Sequence, residues 1–278
     1  MVISYEEFKP SELLRPYIEN YFILIFHGDG NEETPLQRCL PLGMAQIIIH
    51  TYQQDCLGYF NNEWQRMPDA LFVGIYKDVV TWKTFGYSVC FGITLKPESL
   101  MHLFKVPVAT LFNNYTDINS FLNKRINNLA EQMYGVNEPA KLISISEEFL
   151  LSRLKSVTAE RSYVDEASKI IRHVKGNISI DSLCRKLYIS ERQLQRSFKD
   201  MMGTSPKTYT RIIRFRNAYQ QIKQANGEKV SWTDISYDFG YSDQAHFIRD
   251  FKEFSGAVPS LVIQDSCQFY QLGTGSCN

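Results

Sequence analysis

Two short stretches of this 278-residue chain carry arginine, glutamine and lysine at helical spacing, a pattern that suits reading the edges of bases. In the first, Arg192, Gln195, Arg196 and Lys199 recur at steps of three and four residues, so one helix face holds them all. The second carries Gln244, His246, Ile248, Arg249 and Lys252. Arginine and glutamine make paired hydrogen bonds to guanine and adenine edges in the major groove, and an aliphatic group such as Ile248 can meet a thymine methyl. Lysine and arginine also neutralise phosphates and release their counterions. Two of these positions have a second reading. Ile248 could be half-buried against the helix that joins the two stretches, and His246 could pack near Phe247.

Each stretch sits in the same local plan. In the stretches 178–190 and 230–242, a short helix with one apolar face leads through a tight turn ending in Ser190 or Ser242 to a second helix. The second helices are anchored by Leu194 and Phe198, and by Phe247 and Phe251, four residues apart and therefore inward-facing. Ser190 with Gln193 fits a capping box, Ser231 with Asp234 is a looser acidic variant, and Gly240 supplies a positive φ in the second turn. Between the units, Ser205 caps and Pro206 opens a continuous helix to Gln224 that also bears Lys207, Arg211, Arg214 and Arg216. At about 1.5 Å per residue it spans roughly 30 Å, near one turn of DNA, so both reading helices could lie on one face of a duplex.

The charge distribution agrees with two unlike halves. The formal net charge is zero, but residues 1–160 hold 13 basic and 18 acidic side chains, and residues 161–278 hold 17 and 12. The basic half is the one suited to phosphate. Tyr21–Phe26, Ala45–Thr51, Leu71–Ile75 and Val89–Leu95 read as strands, because β-branched and aromatic residues crowd between turn-forming segments. Several short strands at that spacing point to a sandwich or small barrel. Pro97 then opens a helix over Glu98–Phe104. Ile118, Phe121, Leu122, Ile126 and Leu129, and later Phe149, Leu150 and Leu154, step at helical period. The first of these stripes could pair with a copy of itself or pack on the β domain. The expected fold is therefore α+β. It has a β-rich N-terminal domain with helices (1–158), a polar linker within Lys155–Arg161, an all-α domain of two helix-turn-helix units (162–265), and a polar tail (266–278) expected to be disordered or a loose cover.

Residues 166–262 resemble the AraC/XylS family of transcription regulators. The segment Gly240-Tyr-Ser-Asp-Gln-Ala-His-Phe-Ile-Arg-Asp-Phe-Lys252 carries most of the likeness, with Gly256 and Pro259 following. Leu194-Gln-Arg-Ser-Phe-Lys199, Gly203-Thr-Ser-Pro206, Arg214 and Ala218 add to it. The resemblance implies base or phosphate contacts at Arg192, Gln195 and Arg196, and at Gln244, His246, Ile248 and Arg249. Val262 and Ile263 depart from the family pattern of an aromatic and an arginine, and Ser236 replaces a small apolar residue. Leu14-Arg-Pro-Tyr-Ile-Glu-Asn-Tyr21 and Phe91-Gly-Ile-Thr-Leu-Lys-Pro-Glu-Ser-Leu100 resemble the N-terminal halves of one group of these regulators. In such proteins that half senses a small molecule, oligomerises, or both.

Other chemistry has little support in the residues. His27, His50 and His102 are isolated, so no metal site is expected, and no G-x-S-x-G turn for a hydrolase occurs. The six cysteines form no C-x-x-C pair and read as reduced, partly buried thiols. Neither an enzyme nor a cofactor is expected. The aromatic run Tyr59, Phe60, Trp64, Phe72, Tyr76, Trp82, Phe85, Tyr87 and Phe91 reads mainly as core, with a minority lining a cavity. The acidic N-terminus lacks an apolar leader, and apolar runs such as Ile47–Ile49 are too short for a membrane span, so a cytoplasmic protein is expected. The expected partner is double-stranded DNA, with RNA polymerase and a small-molecule effector as further candidates, and the chain as monomer or homodimer. The rival reading is a ligand-binding or enzymatic protein that uses the basic helices only for docking.

Overall fold

The computed structural model describes residues 2–52, 55–121, 127–155, 157, 162–225, 230–264 and 275–277. Nine strands come first: β1 (Val2–Phe8), β2 (Ile18–His27), β3 (Gln37–Cys39), β4 (Ala45–His50), β5 (Leu57–Phe60), β6 (Glu63–Arg66), β7 (Ala70–Val73), β8 (Val80–Lys83) and β9 (Ser88–Leu95). Helix α1 (Glu98–Phe104), a 3-10 turn (Val108–Leu111), β10 (Tyr115–Asp117), α2 (Ile118–Phe121), α3 (Asn127–Met133) and α4 (Pro139–Leu154) complete the first half. The second half runs α5 (Tyr163–His173), α6 (Ile180–Leu187), α7 (Glu191–Met202), α8 (Pro206–Gln224), α9 (Trp232–Asp238), α10 (Gln244–Ser255) and α11 (Pro259–Gln264), and ends in β11 (Gly275–Cys277).

The strands form two antiparallel sheets, one ordered β10-β7-β4-β9-β2-β1-β11 and the other β3-β8-β5-β6. Alternation along the strands decides what each face of the large sheet does. Tyr21 and Ile23, Ile47 and Ile49, and Phe72 belong to the main core, which also takes in the helices. The intervening Phe22, Leu24, Ile48, Leu71 and Val73 point the other way, toward the small sheet. The four expected strands are thus the centre of the large sheet, and α1 has the expected bounds. The four-stranded sheet was not legible, because its strands are short and mostly half-exposed, with no clean alternation.

One expectation is corrected. The tail is not wholly loose: residues 275–277 pair antiparallel with β1, Ile3 opposite Cys277 and Tyr5 opposite Gly275. An edge strand offers unpaired backbone N–H and C=O groups whatever the side chains of the added segment, so no apolar pattern announced this pairing. The possible self-pairing stripe begins at Ile118, which together with Leu129 is buried in the chain's own core. The side chains of Phe121, Leu122 and Ile126 lie outside the described residues, as does the proposed linker apart from Lys155 and Val157.

The two halves are joined by one continuous core, running from Leu14 and Ile18 through α1 and α4 to Val262 in α11. Ion pairs reinforce it. Arg216 of α8 donates to Glu19 of β2 at 2.6 Å. Arg172 of α5 forks onto both carboxylate oxygens of Glu98 and also donates to the Tyr209 hydroxyl at 3.0 Å. Burial alone would raise the Glu19 carboxyl, but Arg216 outweighs it and holds the group below its ordinary range. His102 of α1 lies 3.2 Å from Asp165 in the capping box of α5. That hydrogen bond raises the imidazole against the opposing effect of burial.

A shared core predicts one cooperative melting transition for the full chain. Glu19→Gln combined with Glu98→Gln leaves two arginines poorly paired at the junction, a loss of about 2 kcal/mol or more. Calorimetry is expected to show a lower midpoint and separation into two transitions. A single transition at the wild-type temperature would contradict the account of the junction.

Candidate nucleic-acid interface

Each helix-turn-helix is built by the local signals its sequence carries. In the first, the Ser179 side chain caps α6, Tyr188 adopts the left-handed conformation at its C-terminus, and Ser190 starts α7. Ser190 accepts the Gln193 N–H while the Gln193 side chain accepts that of Ser190, so the capping box is complete. In the second, Ser231 caps α9, Gly240 turns at φ +67°, and Asp243 caps α10 by accepting the His246 N–H. That hydrogen bond, with one from the Ser242 hydroxyl, holds the Asp243 carboxyl below its usual range. A Cβ on Gly240 would come within 2.4 Å of the Asn177 side chain, which would have to shift, so the positive φ is the main ground on which the turn disfavours larger residues.

The anchors do what their spacing implied. Leu194, Phe198, Phe247 and Phe251 are all fully buried. The opposite faces are open: Arg192, Gln195, Arg196 and Lys199 on α7, and Gln244, Arg249 and Lys252 on α10, are all exposed. Gln195 is bonded to Glu191 at 2.8 Å, and Arg196 lies 3.8 Å from Asp200, both contacts along one exposed helix face. Among the described residues, Arg192, Lys199, Arg249 and Lys252 make no ion pair. Ile248 is half-buried and packs against the main core, and the His246 ring stands edge-on to Tyr241 with its Nδ1 3.1 Å from the Ser242 hydroxyl. For these two positions the packing alternative describes their surroundings.

The arginines of the linker helix, which the sequence shows only as basic positions, are engaged within the protein. Arg211 grips both carboxylate oxygens of Asp250, at 2.8 and 3.3 Å, and both of Glu253, at 2.6 and 3.2 Å, with its guanidinium 5.0 Å from the Phe254 ring centre. Arg214 donates to the Gly176 carbonyl and stacks over Tyr241, and Arg216 holds Glu19. These arginines fix α10, the α5–α6 turn and β2 to one helix. Nothing in the sequence flags them as clamps, because their acidic partners lie far away along the chain.

The C-terminal ends of both reading helices touch the N-terminal half. Gly203, closing α7, approaches the 3-10 turn so closely that a Cβ would meet the Phe112 Cβ at 2.4 Å. At the end of α10, Arg38 of β3 donates to the Ser255 carbonyl at 3.4 Å. The N-terminal ends, which enter the groove in a helix-turn-helix, face away from these contacts. Among the described residues no group of three or more His, Cys, Asp or Glu could hold a metal, and no helix is long and apolar enough to cross a membrane.

Two capped helix-turn-helix units on one rigid spacer define a double helix-turn-helix DNA-binding protein. Comparison with known proteins agrees. Residues 183–264 match a family described as a helix-turn-helix domain, and residues 6–117 match a domain of unknown function, DUF6597. The chain is similar to the Msm operon regulatory protein of Streptococcus mutans, 29% identical over 252 residues, covering 88% of this chain and 84% of that one. It is also similar to the XylDLEGF operon transcriptional activator 1 of Pseudomonas putida, 28% identical over 95 residues, or 34% of this chain and 29% of the relative. The RhaS activator of Mannheimia succiniciproducens is 26% identical, with 59% of its length covered. Among solved structures, ToxT of Vibrio cholerae overlays with a TM-score of 0.49 at 12% identity, covering 88% of this chain and 98% of that one. These likenesses support reading the chain as a transcription regulator of the AraC/XylS type.

If Arg211 is a clamp, Arg211→Ala acts through stability. It strands Asp250, which is nearly buried, at an expected cost of about 3 kcal/mol. Thermal melting is expected to show that loss, and DNA affinity measured well below the melting temperature is expected to fall only in proportion to unfolding. Full stability with lost DNA binding would make Arg211 a phosphate contact instead.

Proposed function

We propose that α7 and α10 enter successive major grooves on one face of the duplex and read it through Arg192, Gln195, Arg196, Lys199, Gln244, Arg249 and Lys252. His246 and Ile248 contribute at the groove edge through whatever surface their packing leaves. The observation that carries this reading is the division of each helix into a buried apolar stripe and an open face of base-reading side chains, repeated on both sides of α8. Operator recognition by this surface needs no chemistry on a substrate, so the chain acts as a regulator and not as an enzyme. The names of the relatives favour activation as the output, and a cytoplasmic location and RNA polymerase as a further partner belong to the same proposal. The N-terminal half, proposed to run to residue 158, holds a small-molecule effector and sets how the two reading helices of the domain at 162–265 are presented.

Arg196→Ala and Arg249→Ala are each expected to weaken binding to a specific duplex by about 1–3 kcal/mol and to relax preference at the bases they contact. Gel-shift titrations at fixed salt measure this. Unchanged affinity in both variants would contradict the assignment and favour a docking role for the basic helices.

A further inference from the structure

Between the two sheets lies a cavity of about 90 Å³. Its wall is apolar, with Phe22, Leu24, Ile48, Leu71, Val80 and Trp82 prominent, and among the described residues no Asp, Glu, Lys or Arg lines it. His50 is also in the wall, and burial pushes its pKa down to about 4, so the ring is neutral at pH 7. Burial likewise pushes the Cys56 thiol up to about 12 and raises that of Cys90, which makes both weak polar contacts and not nucleophiles. A charged ligand would lose its hydration here and gain no counter-charge. A neutral one is accommodated, and the amide of Gln46 and the hydroxyl of Tyr76 are available to orient it. Size narrows the class further. An engineered enclosed apolar cavity of about 150 Å³ in another protein takes benzene; this one is smaller but open on one side, so it takes a group of about single-ring bulk with any excess at its mouth.

The cavity wall is also the part of the N-terminal half that braces the second reading helix. Cys39 of β3 and Val80 of β8 line the cavity and sit opposite each other in the small sheet. Their neighbours touch the end of α10. Arg38 donates to the Ser255 carbonyl, and a Cβ on Gly256 would stand 3.9 Å from Val79. The segment after β3 packs on the linker helix, where a Cβ on Gly43 would meet Ile213 at 2.7 Å.

We propose that this cavity binds a small, uncharged, mainly apolar molecule of single-ring size, and that β3 and β8 pass its occupancy to the C-terminal end of α10. The proposal rests on the reading of the chain as an effector-controlled DNA-binding regulator, and it names the effector's chemical class and its route of action.

The test uses the full chain and three probes of similar shape: toluene, benzoate and benzylammonium. Saturable one-to-one binding of toluene is expected, followed through tryptophan fluorescence because Trp82 lines the site, with benzoate and benzylammonium at least about tenfold weaker. Val80→Phe fills the cavity from a half-buried position and is expected to cut toluene affinity at least about tenfold. Should that variant fail to fold, the comparison of the three probes on the wild-type chain decides alone. Equal binding of a charged probe, no toluene binding up to its solubility, or toluene binding unaffected in a folded Val80→Phe would each overturn the proposal. DNA titrations run in parallel keep the two readings apart. DNA binding retained without toluene binding sinks only the ligand proposal, and loss of DNA binding sinks the reading beneath it.

Discussion

Helix α8 is the constraint on which the rest of the structure depends. Beyond Pro206 in its first turn it contains neither proline nor glycine, so its backbone offers no site for a kink. Tyr209, Ile212, Ile213, Phe215, Ala218, Tyr219 and Ile222 are buried along it, and its larger apolar side chains are each worth about 1.5–3 kcal/mol of apolar burial. Because the helix serves as core for both helix-turn-helix units, the distance between the two reading helices is set by packing and not by a flexible tether. Its arginines extend the same function. Arg211 fixes α10, Arg214 the turn beyond α5, and Arg216 the N-terminal sheet.

This arrangement suits the proposal that one chain is both a rigid reader and a regulated one. The faces proposed to meet DNA are held from behind, by anchors in the core and by contacts at the C-terminal ends of α7 and α10. Both end contacts come from the N-terminal half, at the 3-10 turn for α7 and at β3 for α10. In that proposal a change in the N-terminal half acts on the geometry of reading through these contacts, without touching a residue proposed to face the duplex. The continuous core and the junction ion pairs supply the stiffness such coupling requires.

How much of this the sequence showed follows from the range of the interactions involved. Caps, turns and i, i+4 anchors are local, so Ser190 with Gln193, Ser205 with Pro206, Gly240, and the buried Leu194 and Phe198 could all be read directly. The exposed reading residues were legible for the same reason. The strands of the large sheet showed through their β-branched runs, but the aromatic cluster, expected mainly as core, divides three ways. Phe72 and Phe91 are core, Phe60, Tyr76 and Trp82 line the cavity, and Tyr59, Trp64 and Tyr87 are exposed. What stayed hidden was long-range. The engagement of the α8 arginines could not be read because Glu19 and Asp250 meet them only in the folded chain. The short strands of the second sheet and the pairing of residues 275–277 depend on backbone groups that side-chain pattern does not report.

The central claim is that α8 fixes two readers one DNA turn apart. Selection of bound duplexes from a random pool by the full chain, at stated salt, followed by hydroxyl-radical footprinting of the enriched site, tests it most directly. The account requires two short boxes at one constant spacing of about 10 base pairs, protected on the same face of the duplex. A single box, or two boxes whose spacing varies among selected sites, would contradict it.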